Sequence, residues 1–180
     1  MSTASMTREP RETLDLRQLA TLDRPAFTAA LGTIFEHTPW VAEAAWAQRP
    51  FDSLDALHAA MMGALRAAAP GEQLAFLRRH PELAGREAQA GTMTDHSTRE
   101  QAGLNALSHE QLDELRRLNA AYAQRHGFPF MIAVLGHTRA QIFEALRTRV
   151  GNPTATEFEA ALQQVAAITR RRLDTLFARA

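Results

Sequence analysis

The sequence predicts an all-α, single-domain, multi-helix bundle, and three observations carry that prediction. Apolar residues recur about every 3.6 positions over most of the chain, strand-like alternation is nearly absent, and Ser, Thr or Asp caps precede one apolar run after another. With 180 residues, 46% of them hydrophobic and 22% charged, there is material for one sizeable core and too little for two comfortable domains.

Residues 1–13 are polar and read as a flexible N-terminal arm ahead of an all-α domain over residues 14–180. Asp23 caps a segment with Pro25 in its first turn and Phe27, Leu31, Ile34 and Phe35 on its apolar face, ending near His37. A short helix follows Pro39, carrying Trp40, Val41, Ala44 and Ala45. Ser53 opens a run with Leu54, Leu57, Ala60, Met61, Ala64 and Leu65 at core-facing spacing, and Pro70-Gly71 is expected to break it. A helix over residues 72–79 stops at His80, because the residue before a proline is pushed out of the helical region, and a long ordered loop to about His96 follows. Next come a helix over residues 97–107 and one capped by Ser108 with Gln111, stopped at Gly127. Residues 128–135 form the one apolar run without helical period, read as a buried extended or tight-helical piece. Thr138 with Gln141 opens a helix to about Arg149, and Thr154 with Glu157 opens the last, to about Phe177.

Composition limits the chemistry. Twenty basic residues balance twenty acidic ones, so no basic field gathers phosphates and no nucleic-acid partner is expected. There is no Cys, which excludes disulfides, thiolate metal sites and a Cys nucleophile. All basic residues are Arg, which excludes a lysine imine, a covalently held pyridoxal phosphate and a phosphate-loop lysine. The seven histidines show no pair at metal-ligand spacing, so no metal site is indicated. No run of eighteen apolar residues, secretory signal or peroxisomal address is visible, so a soluble cytoplasmic protein with no membrane partner is expected.

Three polar features sit where structure alone does not require them. At 100° per residue, Phe158, Leu162, Val165, Thr169, Leu173 and Leu176 form one stripe on the last helix, and Arg172 falls inside it while Arg170 and Arg171 point away. An inward guanidinium needs an anion, either a buried Asp or Glu or a ligand. Ser97, Glu100, Gln101 and Leu104 share one helical face, which is a capping box if Ser97 is the cap and a polar pocket wall if Glu100 points inward. His80, fixed at a helix end by Pro81, is either a dipole partner or a proton-transfer group.

The run His80-Pro81-Glu82-Leu83-Ala84-Gly85, then Ser97-Thr98-Arg99-Glu100-Gln101-Ala102-Gly103-Leu104, then Leu118-Asn119 with Tyr122, and Gly127-Phe128-Pro129-Phe130 resemble, in order and spacing, the 2-oxo-4-hydroxy-4-carboxy-5-ureidoimidazoline (OHCU) decarboxylases of urate degradation. The resemblance covers about residues 14–178. It implies an all-α fold, a homodimer, no cofactor and a small ureidoimidazoline substrate converted to (S)-allantoin. His80 and Glu100 match the family's catalytic pair, and Pro81, Ser97, Gln101, Phe130, Met131 and Ile132 its substrate contacts. Its late arginine falls on Arg172.

Decarboxylation needs an electron sink, which enzymes commonly supply as an imine, a cofactor or a metal. The implied substrate carries its own, a ring C=N one carbon from the carboxylate. Glu100 is expected to accept or remove the substrate hydroxyl proton, with His80 assisting, and Arg172 and Gln101 to orient the substrate. The competing function is a non-catalytic helical module binding a ligand or partner, with Ser97/Glu100 as a cap and Arg172 in an internal salt bridge. A different enzyme of ureide metabolism, a lyase or an amidohydrolase, the latter usually needing a metal cluster, is a more distant third.

Overall fold

The computed structural model describes residues 15–85, 88, 90–104 and 107–178, and the arm expected over residues 1–13 lies outside them. Among the described residues there are nine α-helices, one short 3-10 turn and no strand. The helices are α1 (Leu16–Thr21), α2 (Arg24–Leu31), α3 (Trp40–Trp46), α4 (Leu54–Ala67), α5 (Pro70–Arg78), α6 (Asp95–Gln101), α7 (His109–His126), α8 (Arg139–Arg149) and α9 (Thr154–Phe177), with the 3-10 turn at Ala102–Leu104. None is long and apolar enough to cross a membrane.

Helix α3 packs on α2 and α4, α9 lies across α4 and α7, and α7 pairs with α8. Phe27, Leu31, Val41, Leu57, Met61, Leu65, Leu115, Leu146, Val165 and Leu173 interlock fully buried between them. Each such side chain contributes roughly 1.5–3 kcal/mol of transfer free energy. Most of the expected caps form: Asp23 accepts from the Ala26 amide, Ser53 from Ala56, and Ser108–Gln111 and Thr138–Gln141 make full capping boxes. Gly127 ends α7 at φ 81°, the left-handed position where a side chain is strained.

Several boundaries differ from expectation, each for a local reason. Helix α1, not singled out by the sequence, is built by an Asp15–Gln18 capping box. Helix α2 ends at Leu31 instead of near His37, and residues 32–38 fold into turns with His37 at φ 45°. There the Ile34 carbonyl is bonded by Arg172, 138 residues away, instead of by a helical amide. The run opened by Ser53 does end ahead of Pro70, at Ala67, but Pro70 itself starts α5, two residues before the expected Glu72, since at the first helical position its missing N–H costs nothing and Glu72 caps the Ala69 amide. Helix α6 begins at Asp95 because Thr94, not Ser97, accepts from the Ser97 amide, and it gives way to the 3-10 turn at Ala102. The loop expected from His80 to His96 carries helical backbone at residues 88 and 90.

Residues 129–134 form neither helix nor strand, between a bend at Phe128 and a turn at Leu135, and most of them are buried. Their carbonyl and amide groups are held from two sides, Arg149 donating to the Met131 carbonyl at 2.9 Å and the Ala133 amide to Gln164 at 2.9 Å. At the start of α9 the expected Thr154–Glu157 box is absent. Glu157 is instead fully buried, accepting from Tyr122 Oη at 2.6 Å, Asn152 at 2.7 Å and Arg149 Nε at 2.9 Å. A buried carboxylate with three donors outcompetes a surface cap.

Candidate active site

The residues that follow α5, the inner face of α6, the irregular segment 130–135 and the C-terminal half of α9 enclose a pocket with about 530 Å³ of empty space, its mouth included. All nine residues singled out by sequence line it: His80, Pro81, Ser97, Glu100, Gln101, Phe130, Met131, Ile132 and Arg172. Leu83, Ala133, Val134, Leu135, Ile168 and Arg171 complete the wall. One side is thus polar and the other is a band of aliphatic and aromatic groups.

His80 follows the end of α5, two residues past Arg78, where Pro81 keeps the preceding residue out of the helical region. Its Nδ1 lies 3.2 Å from the Phe76 carbonyl, and its ring sits edge-on to Phe76 with centroids 4.7 Å apart. A carbonyl only accepts, so the hydrogen is on Nδ1 and Nε2 keeps its lone pair. That Nε2 is buried without a partner. Burial pushes the His80 pKa from 6.5 down to about 4, with the Glu36 charge opposing too weakly to prevent it, so the ring is neutral at pH 7.

Arg172 is 3% exposed on α9 and uses both edges of its guanidinium. Nε and Nη2 grip the two oxygens of Glu100, each at 2.7 Å, a bidentate pair, while Nη1 donates to Glu36 at 2.9 Å and to the Ile34 carbonyl at 3.2 Å. Helical phase therefore placed Arg172 inward correctly, and the pocket and the internal salt bridge, offered as alternatives, coexist. Burial pulls the Arg172 pKa down, but hydrogen bonding and charge from Glu100 and Glu36 outweigh it and hold it above its ordinary value. Arg170 does turn away, pairing with Asp174 and Asp55. Arg171 does not turn wholly away: it is exposed, yet it reaches the pocket rim and donates to the Leu135 carbonyl.

Ser97 is buried in the first turn of α6 and donates from Oγ to Glu36 at 3.0 Å, a role that corrects its reading as a cap. Gln101, one turn on, accepts from the Ala84 amide at 2.9 Å, leaving its NH₂ for a ligand carbonyl. Glu36 was not found from sequence. It lies in a segment read as helix, and the only signal for it was the anion that an inward Arg172 demands. Among the described residues no three His, Asp or Glu side chains lie close enough to share a metal ion.

Fold and pocket define a helical protein that takes a small molecule between acid–base side chains and an apolar wall. Comparison with known sequences makes the class specific: residues 20–174 match the family model for OHCU decarboxylase, and the chain belongs to that family. It is 43% identical over 166 residues to the 2-oxo-4-hydroxy-4-carboxy-5-ureidoimidazoline decarboxylase of Haloferax volcanii, covering 91% of this chain and 96% of that protein. It is 42% identical over 161 residues to a uric acid degradation bifunctional protein of Bacillus subtilis, covering 88% of this chain and 31% of that longer protein. Among solved structures, an (S)-allantoin synthase superposes with a TM-score of 0.75 at 28% identity, over 91% of this chain and 54% of that one. An OHCU decarboxylase crystallised in the presence of (S)-allantoin superposes with a TM-score of 0.63 at 21% identity, over 87% and 99%, and supports the fold.

Proposed function

We propose that this pocket decarboxylates 2-oxo-4-hydroxy-4-carboxy-5-ureidoimidazoline to (S)-allantoin in urate degradation, with His80 and Glu100 as the catalytic pair. The observation that carries the assignment is the convergence, in a chain of this family, of His80 just after α5, Glu100 on α6 and Arg172 on α9 on one half-apolar pocket.

The C–C bond to the carboxylate breaks and carbon dioxide leaves; the released electron pair forms a ring C=C, the C=N electrons move onto nitrogen, and that nitrogen takes up a proton from solvent, giving an enol. Glu100 takes the hydroxyl proton as the enol becomes the ring carbonyl, and a proton reaches the neighbouring carbon from one face, which fixes the hand of the product. A neutral His80, with Nδ1 committed to Phe76, has only the Nε2 lone pair to offer, so it accepts a hydrogen bond from the substrate instead of binding its carboxylate. Arg172 and Gln101 hold carbonyl, ureido or carboxylate oxygens, bidentate Arg geometry giving orientation as well as charge. Pro81, Ser97 and the Phe130–Met131–Ile132 stretch complete the substrate contacts. The aliphatic wall strips water from the carboxylate, whose charge disperses as carbon dioxide forms.

The test generates the unstable substrate in place with urate oxidase and the hydrolase that follows it, then adds this protein and follows circular dichroism. Faster growth of a single-handed allantoin signal is the expected result. A slow racemic background left unchanged would favour the non-catalytic binding module.

A further inference from the structure

We infer that Glu36, which lies behind the pocket and touches no open space within it, is a positioning residue for the decarboxylation proposed above: it is the permanent counter-ion of Arg172, and it lets the Arg172–Glu100 pair open for substrate.

The argument starts from how one guanidinium is shared by two carboxylates of unequal burial. The Glu36 side chain is 1% exposed, and its oxygens are occupied by Arg172 Nη1 at 2.9 Å, Ser97 Oγ at 3.0 Å and Thr94 Oγ1 at 2.8 Å. His37 Nε2 lies 3.8 Å away on the solvent side. With Oε2 taking two donors and Oε1 one, and with no part in the pocket lining, this carboxylate is held in place and does not face a ligand. Glu100 differs in both respects. Its side chain is 19% exposed, it lines the pocket, and its bonds to Arg172 lie on the Nε/Nη2 edge, the fork that suits a carboxylate or ureido oxygen pair.

In the unliganded site Glu100 is spent on Arg172. Each Glu100 oxygen keeps a second lone pair, but a substrate that takes the Nε/Nη2 edge requires Glu100 to release it, and the edge then faces the substrate. Arg172 would be stranded as a buried cation during this exchange if Glu100 were its only anion, and the pair would stay closed. Glu36 removes that obstacle by keeping Nη1 neutralised, and the Ile34 carbonyl on the same nitrogen keeps the guanidinium plane fixed. Through Ser97 Oγ and the Thr94 cap of α6, the same carboxylate fixes the turn that carries Glu100. One buried acid therefore sets the Arg172 orientation, the Ser97 rotamer and the starting point of α6.

A double-mutant cycle separates positioning from general support. Wild type, E36Q, E100Q and E36Q/E100Q are compared in the coupled dichroism assay. E36Q is expected to lower kcat about a hundredfold, the scale of a mispositioned reacting group, while KM moves less than about threefold. Because Glu36 acts by releasing Glu100, adding E36Q to E100Q is expected to lower kcat by less than about threefold further. Equal fold-losses in both backgrounds, or an unchanged kcat in E36Q, overturn the proposal. If E36Q fails to give a folded dichroism spectrum, the cycle is run with E36D, which keeps the charge but lengthens the Arg172 contact, and the same non-additivity is required. A wild-type protein with no activity would refute the decarboxylase function itself and this inference with it. An active wild type with an additive cycle refutes the role of Glu36 alone.

Discussion

Replacing Arg172 by Met tests the charge arrangement on which the pocket is built. Met keeps an unbranched apolar chain but removes every donor, so Glu36, 1% exposed, is left with only the Thr94 and Ser97 hydroxyls. Breaking a buried ion pair from one side costs about 3–5 kcal/mol. In a chain of 180 residues, where 1 kcal/mol moves Tm by about 2–4 °C, the expected fall is about 6–20 °C. The loss carries a pH signature that a packing defect lacks. In the wild type burial raises the Glu36 pKa, but the Arg172 charge and the hydrogen bonds from Thr94 and Arg172 win, and the folded value lies below the ordinary 4.5. The pair therefore stabilises fully above 4.5 and loses its contribution as pH falls through the lower folded value. In R172M burial acts without a cation, so the folded pKa rises above 4.5. Glu36 then costs stability at pH 7, and the cost disappears as falling pH protonates it. Urea unfolding followed by Trp fluorescence at pH 7.5 and pH 4.5 reads the difference, and the same comparison in an H80Q background removes the titration of His80, on which the Arg172 and Glu36 charges also act. A loss below about 1 kcal/mol at pH 7.5, or the same loss at both pH values, would refute the reasoning.

The site makes further predictions. H80A and E100A are each expected to lose about 10²–10⁴-fold in enantioselective turnover while keeping wild-type far-UV dichroism, and either retaining wild-type rate and chirality would remove it from the catalytic pair. Because His80 titrates near 4 when folded against 6.5 otherwise, the unfolded chain binds the extra proton between those values. Its contribution, about 3 kcal/mol, is complete above pH 6.5 and lost as pH falls to about 4, and H80Q should flatten the stability profile in that window alone. Y122F removes the 2.6 Å bond to buried Glu157 and is expected to cost about 1.5–3 kcal/mol in urea unfolding. R149M frees the Met131 carbonyl from α8 and also removes the cation paired with buried Glu157, so it is expected to cost about 3–5 kcal/mol in urea unfolding and, in the folded protein, to raise KM more than it lowers kcat, since it loosens the pocket wall but spares the acid–base pair.

Most helices were legible where short-range chemistry decides, although the Asp15–Gln18 box of α1 and the Thr94 cap of α6, equally local, were not singled out. Ser53, Ser108 and Thr138 cap because their hydroxyls reach an amide three residues on, and Gly127 stops α7 because its φ of 81° suits no side chain. Expectation failed where a distant group took over a local bond. Residues 32–38 continue the apolar spacing of α2, but Arg172 claims the Ile34 carbonyl and the Glu36 carboxylate, and the helix is not extended. Thr154 and Glu157 have capping-box spacing, but Tyr122, Arg149 and Asn152 claim Glu157. Spacing within one segment carries no information about donors that arrive from 35 or 136 residues away.

The site divides along the same line. Helical phase alone turned Arg172 inward and Arg170 outward, and physics alone required an anion near it, but two classes of anion satisfied that requirement equally. The structure shows why neither could be dismissed from sequence: the guanidinium has two edges, and each answers one of the alternatives. Nη1 meets an internal acid that never sees solvent, while Nε and Nη2 meet one that lines a cavity. A buried cation with a single partner would be a structural strut, and one with none would not stay buried. Only the divided arrangement leaves Arg172 stable in the empty pocket and able to exchange Glu100 for an anionic ligand without an uncompensated charge at any stage.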